Sequence, residues 1–272
     1  MNLPTQPFGA RTDIMKDHAY VLERGHVFTS ALVARKVTMS CYAMIVLTAR
    51  GKPFSIQVGQ DAREYRAVAI RPPIERAVYA DDVRLTSFHL NPLHPNFRMF
   101  RSIECPGLLE LPRASFAALD EALNTAYEGR STIQQANELF ESVIATASTY
   151  LAKPKPTDAR IERIVARLQA GSQSSLKELA ASVGLSANRM THLFTETVGI
   201  SLRSYTLWQK MHRVPSLLAA GKSFTETAHD CGFTDSAHMA AAFQNLYGAP
   251  PSYFFNSNHV RLVSWVSESS GG

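Results

Sequence analysis

At 272 residues, with 45% hydrophobic and 19% charged side chains, the chain can build two domains with buried cores and is neither disordered nor collagen-like. Its longest apolar run, Tyr42 to Ala49, falls well short of the ~20 residues a membrane helix needs, and its start lacks a charged stretch followed by an apolar one. A soluble, cytoplasmic protein with no membrane partner is expected. The net charge of +5 permits an anionic partner without demanding one, since 18 Lys+Arg stand against 15 Asp+Glu up to Lys155 and 10 against 8 beyond it. Three widely spaced cysteines, Cys41, Cys105 and Cys231, argue against a disulfide framework or a Cys-rich zinc site.

From Tyr20 to about Phe100 short β-rich runs follow one another: Val37–Ala49, Phe54–Val58, Arg66–Ile70 and Val83–Leu90. The turn signals Arg50-Gly51-Lys52-Pro53, Gly59-Gln60-Asp61 and Arg71-Pro72-Pro73 divide them, so residues 1–111 read as a small sandwich or barrel. Pro112 opens a helical stretch with Phe116, Leu119 and Leu123 on one face, closed by Gly129. Ser131 begins a second helix carrying Ile133, Ala136, Leu139, Phe140, Val143 and Ile144. The pair forms a helical hairpin over 112–152. Its apolar stripe at Leu139, Phe140 and Val143 has two destinations, the barrel or a second subunit of a homodimer. Lys153-Pro154-Lys155-Pro156 marks a linker, 153–157, because two prolines and two lysines resist both helix and strand. Everything after it reads as helices, the first capped by Asp158 or Thr157 and running through Ile161, Ile164, Val165 and Leu168 to Gly171.

An internal repeat is the most informative feature. Leu179-Ala180-Ala181-Ser182-Val183-Gly184-Leu185-Ser186 matches Thr227-Ala228-His229-Asp230-Cys231-Gly232-Phe233-Thr234, and further on Met190, Phe194 and Gly199 match Met239, Phe243 and Gly248. Each copy reads as a short helix, a glycine turn, a Ser/Thr cap and a longer helix, the helix-turn-helix pattern. Ala180 and Ala228 are small where two helices cross; Gly184 and Gly232 supply the positive φ of a tight turn. Ser186 and Thr234 can cap the second helix and leave its first residues free to reach base edges in a major groove.

These segments, S-L-K-E-L-A-A-S-V-G-L-S, R-M-T-H-L-F, L-L-A-A-G, C-G-F-T-D-S-A-H and L-Y-G-A-P-P-S-Y, resemble the AraC/XylS family of bacterial transcription regulators over about Arg160 to Phe254. The N-terminal part is similar to that family's cupin-type effector barrel through E-Y-R-A-V-A-I-R-P-P and F-H-L-N-P. The resemblance implies an α+β multidomain protein. A cupin-like β-barrel and helical hairpin precede an all-α domain over 158–256, where units at about 176–197 and 224–247 are joined by a linker helix from Ser201 to Ala220; 257–272 is a tail. It implies double-stranded promoter DNA, RNA polymerase and a small-molecule effector as partners, a homodimer, and activation of transcription. By position, Ser186, Asn188, Arg189, Thr191 and His192 form the exposed side of the first recognition helix, Arg189 having the fork for guanine and Asn188 the amide for adenine. In the second unit Ala240 and Ala241 stand where the family is polar or basic, and Gln244-Asn245 replaces a basic pair. Ser236, Ala237 and His238 remain at the groove end. Pro215 falls within the expected linker helix and should kink it or shift its start.

The barrel region lacks the His-x-His of a cupin metal site. Its corresponding strand reads Thr38-Met39-Ser40-Cys41-Tyr42, and Pro72-Pro73-Ile74-Glu75-Arg76 occupies the turn where a later His would fall. His89 and His94 lack ligand-pair spacing, and no phosphate loop, nucleophile elbow or H-E-x-x-H is present, so neither a metal, a cofactor nor a catalytic residue is expected. Arg63, Arg66, Arg71 and Arg76 lie within fourteen residues; they form an exposed basic surface or converge on a pocket for a carboxylate or phosphate effector. The competing functions are a cupin-type enzyme, which needs a constellation the sequence does not display, and a degenerate regulator acting through protein contacts, which the cation-poor second unit would suit.

Overall fold

The computed structural model of the chain describes residues 17–37, 40–49, 52–171 and 174–264. They fall into two compact units, one running to Ala152 and resuming at Ala237, the other from Lys153 to Ser236. Thr38, Met39, Arg50 and Gly51, parts of two sequence readings above, lie outside the described residues.

In the first unit the strands are β1 (Asp17–Leu22), β2 (Gly25–Val37), β3 (Ala43–Thr48), β4 (Phe54–Val58), β5 (Asp61–Tyr65), β6 (Ala67–Ile70), β7 (Arg76–Leu90), β8 (Leu108–Glu110) and β9 (Val260–Ser264). Their order is β8-β6-β3-β7-β2-β1-β9, with β4 paired to both β5 and β7. The described pairings are antiparallel except β1 with β9, so the sheet is mixed. The 15-residue β7 organises it. Leu85–Leu90 lies between β2 and β3, whereas Ala77–Tyr79 lies between β2 and β4. At the change of partner the register slips between Ser30 and Leu32 and Asp82 takes φ +53°, the local twist of a β-bulge. Residues alternating along these strands, Met44, Val46, Phe54, Ile56, Val68, Ile70, Val78 and Ala80, fill one apolar interior.

The mixed sheet followed by helices is the expected fold class; three details differ. Val37–Ala49 is not one strand, because β2 ends at Val37 and β3 begins at Ala43. β7 starts at Arg76 rather than Val83, its first half hidden from the alternation rule by the exposed pair Asp81-Asp82. The tail expected over 257–272 contributes β9, which pairs with β1 from Asp17↔Val260 to Val21↔Ser264.

The hairpin packs on this sheet. A 3-10 helix (Arg113–Leu119) leads into α1 (Asp120–Tyr127), and α2 (Ile133–Ser148) follows a capping box in which Thr132 Oγ1 accepts from Gln135 N and Gln135 Oε1 from Thr132 N. Tyr20 Oη donates to the Ala126 carbonyl at 2.9 Å, tying β1 to α1. Leu139, Phe140 and Val143, a candidate dimer stripe, are buried inside this unit. The Phe140 ring lies 6.5 Å from Phe88 and 5.7 Å from the His94 ring. It also lies against Gly25, where a Cβ would meet Phe140 Cζ at 2.5 Å. The stripe therefore belongs to the protomer's own core, and the exposed side of α2 is polar: Gln134, Asn137, Glu138 and Glu141. Phe140→Ala is expected to cost about 3–5 kcal/mol in urea unfolding, and Phe140→Glu to unfold the unit rather than release folded monomers.

His94 is buried beside this ring; its Nδ1 accepts from Asn96 N (3.1 Å) and its Nε2 faces Glu141 Oε2 (3.3 Å). Burial lowers its pKa from 6.5, outweighing the opposing pull of Glu141. The unfolded chain therefore takes up a proton first as pH falls through 6.5, and stability drops until the folded pKa is reached. His94→Gln should flatten melting temperature against pH in that window; an unchanged slope would remove His94 from the account.

Candidate nucleic-acid interface

The second unit holds α3 (Ala159–Gln169), α4 (Leu176–Ala181), α5 (Ala187–Val198), α6 (Leu202–His212), α7 (Val214–Ala219) and α8 (Phe224–Asp230). Asp158 caps α3, its Oδ1 accepting from Arg160 N at 2.9 Å while its carboxylate pairs with the Arg160 guanidinium, which holds its pKa down at about 2. The linker helix expected from Ser201 to Ala220 is interrupted at Arg213, and Pro215 sits in the first turn of α7, where its missing N–H leaves no helical bond broken.

Helix α4 begins with a reciprocal cap. Glu178 N donates to Ser175 Oγ (3.3 Å) and Ser175 N to Glu178 Oε2 (2.7 Å), which lowers the Glu178 pKa. After buried Leu179 and Ala180 the chain turns through Gly184 at φ +68°, and Leu185 N donates back to the Ala180 carbonyl at 3.0 Å. Ser186 then caps α5, its Oγ accepting from Arg189 N at 3.3 Å. Met190, Leu193, Phe194 and Val198 are buried on one side of α5, with the Phe194 ring edge-on to Tyr205 of α6 at 5.6 Å. The other side presents Ser186, Asn188, Arg189 and His192 to solvent, and helical spacing keeps Asn188, Arg189 and His192 together. Thr191 differs from its expected role. It is half-buried, and its hydroxyl proton is directed at the carbonyls of Ala187 (3.1 Å) and Asn188 (2.8 Å), which leaves it only acceptor capacity toward a base or phosphate.

The repeat is built with the same geometry up to its turn. Ser223 and Glu226 cap α8 reciprocally, Thr227 and Ala228 are buried, Gly232 has φ +75°, and Phe233 N donates to the Ala228 carbonyl at 2.9 Å. Lys222 pairs with Asp230. Lys210 of α6 donates to the Gly232 carbonyl at 2.6 Å and lies over the Phe233 ring at 5.3 Å, tying the linker helix to the turn. The next helix, α9 (Ser236–Tyr247), places Asp235 rather than Thr234 before its first residue. From Ala237 onward it groups with the first unit. There Tyr247 Oη is 3.0 Å from Tyr42 Oη, and Phe243 packs on Phe254 of α10 (Pro251–Phe254) at 5.4 Å. Ala237, His238, Ala241, Gln244 and Asn245 are exposed on α9, while Ser236 and Ala240 are half-buried.

Among the candidate effector arginines, Arg63 and Arg66 are exposed, Arg71 is half-buried with Nη1 on the Ile103 carbonyl (2.9 Å), and Arg76 is buried. No three of His, Cys, Asp and Glu converge in a metal-sized cluster among the described residues. No helix among the described residues is long and apolar enough to cross a membrane. Sequence reading missed the reciprocal caps of α4 and α8, although S-x-x-E at Ser175 and Ser223 is a local signal. Lys210 and the Tyr42–Tyr247 pair carry no local signal.

Residues 179–257 match a family model described as a helix-turn-helix domain. The chain is 32% identical over 87 residues to the Msm operon regulatory protein of Streptococcus mutans, covering 32% of this chain and 31% of that protein. It is 27% identical over 133 residues to the arabinose operon regulatory protein of Salmonella typhimurium, covering 47% of each. The chain thus spans about a third to a half of the length of these curated relatives. Its fold is similar to that of ToxT from Vibrio cholerae O395, with a TM-score of 0.53 at 11% identity over 84% of this chain and 95% of that one.

On α5, Arg189→Ala is expected to weaken specific DNA binding by about 1–3 kcal/mol and to relax one base position in a selected-site logo. An unchanged affinity and logo would remove Arg189 from base readout.

Proposed function

We propose that this chain, whose residues 179–257 match a helix-turn-helix domain, is a sequence-specific regulator of the AraC/XylS family that binds double-stranded promoter DNA through residues 158–256. One observation carries the reading: the same reciprocally capped helix and glycine turn built twice, at Ser175–Leu185 and Ser223–Phe233, the first followed by a helix whose open side presents Asn188, Arg189 and His192. Ser186 sets the start of that helix and Thr191 adds an acceptor. Ser236, Ala237, His238, Gln244 and Asn245 are the candidates of the second helix-turn-helix, with alanine methyls suited to thymine contact. The sheet unit senses a small effector, and the protein works in the cytoplasm as a homodimer that activates RNA polymerase, without catalysis of its own. Leu139, Phe140 and Val143 are closed to a dimer contact by their burial, which leaves that role to another surface.

The test is site selection with the full chain, followed by footprinting and a salt series. Ten Lys and Arg follow Lys155. Arg160 and Lys222 are ion-paired, Lys210 is held on the Gly232 carbonyl, and Arg261 lies on β9 with Nη1 on the Gly129 carbonyl. Arg163, Arg167, Lys177, Arg189, Arg203 and Arg213 remain, enough for ~4–6 phosphates, so log affinity should fall against log salt with a slope of roughly −4 to −5 per monomer. Scrambling the subsite of the first helix-turn-helix should abolish specific binding, and scrambling that of the second should weaken it several-fold. Slopes near −8, roughly twice that expectation, or equal losses from both scrambles would overturn this division of labour.

A further inference from the structure

Strand β1 sets His18 between its two register partners, Thr29 of β2 and Arg261 of β9, so the three side chains stand on one face of the sheet. That face meets the turn between α1 and α2. A Cβ at Gly129 would overlap Nε2, Cδ2 and Cε1 of the His18 ring, so the imidazole is in direct contact with the turn. Arg261 Nη1 donates to the carbonyl of the same glycine at 3.0 Å. Two side chains from adjacent strands thus clasp one residue of the hairpin.

The half-buried ring has few other polar neighbours. Thr29 Oγ1 lies 3.5 Å from His18 Nδ1, and the Tyr127 backbone at the end of α1 is hydrogen-bonded to the ring. Tyr20, two residues along β1 on the same face, donates its hydroxyl proton to the Ala126 carbonyl. Glu128 and Arg130, on either side of Gly129, pair with each other, and Asp17, on the other face of β1, accepts from Tyr253 Oη at 2.5 Å. Burial and then the charge of Arg261 lower the His18 pKa from 6.5, outweighing the Tyr127 backbone. The closed clasp therefore holds a neutral imidazole, and a proton taken up there sets a second cation beside Arg261. The strand at stake is an edge of five residues, paired with β1 and reached from α9 through α10.

We propose that His18 and Arg261 form an acid-sensitive latch: closed, they hold β9 and the chain leading back through α10 to α9 against the hairpin turn, and a proton on His18 opens it by driving Arg261 from the Gly129 carbonyl. The latch adds a response to pH that the regulator reading neither requires nor supplies. Hydrogen exchange of the full chain, read as protection factors to remove the intrinsic pH dependence of exchange, is followed from about pH 7.5 to about 5. Protection of Val260–Ser264 should fall at least about fivefold in the wild type and stay level in His18→Gln, which keeps a polar side chain but cannot take up the proton. Arg261→Gln should leave β9 weakly protected already at the upper pH. A level wild-type profile, an equal fall in His18→Gln, or undisturbed β9 protection in Arg261→Gln would overturn the latch. So would a fall of the same size at β3 and β6, which marks a global loss of stability of the kind assigned to His94 rather than local opening. If His18→Gln does not fold, the His18 ring signal in nuclear magnetic resonance decides: Arg261→Gln should raise its titration midpoint toward 6.5, and an unmoved midpoint overturns the proposal.

Discussion

Strand β7 is hydrogen-bonded on both edges over most of its length, and it manages this by changing one of its neighbours midway. A straight strand of 15 residues would hold the same two partners throughout. The slip opposite Ser30 and the positive φ of Asp82 let β7 leave β3 and take up β4, which curls the sheet over its own apolar face. That curvature lets Phe54 and Ile56 of β4 meet Met44 and Ile70 in one interior. On its opposite face the same strand sets Phe88 beneath Phe140, so the helical hairpin and the interior are both referred to one strand.

The second unit depends on a different device, the closing of a helix turn by a backbone bond across a left-handed glycine. Leu185 to Ala180 and Phe233 to Ala228 are the same bond made twice. Glycine tolerates the conformation at both turns, φ +68° at Gly184 and +75° at Gly232, where a Cβ would be strained. The copies diverge in what surrounds the turn. A Cβ at Gly184 would stand in open space, whereas Lys210 reaches the carbonyl of Gly232 and ties the second turn to the linker helix by a charge-assisted bond.

What was legible in the sequence is what depends on neighbours within a turn or two. Ser186 as a cap, the glycine turns, a cap at Thr157 or Asp158 (the structure takes Asp158), and the stripe from Ile133 to Ile144 all follow from spacing alone. The stripe's destination was not legible, because an apolar face specifies burial and not the surface that buries it. Strand β5 escaped notice since Asp61, Arg63 and Glu64 are all exposed and leave no alternation to read. The four arginines looked alike in sequence; only the sheet, by assigning faces, separates solvent-exposed Arg63 and Arg66 from buried Arg76. The contact of Tyr42 with Tyr247 spans 205 positions and has no local trace.

The pairing of β9 with β1 has a consequence for the order in which the chain can mature. Strand β1 is among the first described segments to leave the ribosome, and its partner on one side is among the last. Throughout synthesis the intervening helices appear while β1 presents an open ladder of N–H and C=O groups along Asp17–Val21. A fragment ending at Ala152, the natural cut for isolating the sheet unit, would keep that edge open permanently and be prone to strand-to-strand association. The sheet unit is therefore finished only when the whole helical segment has been made, which places its completion after, not before, the appearance of the helices.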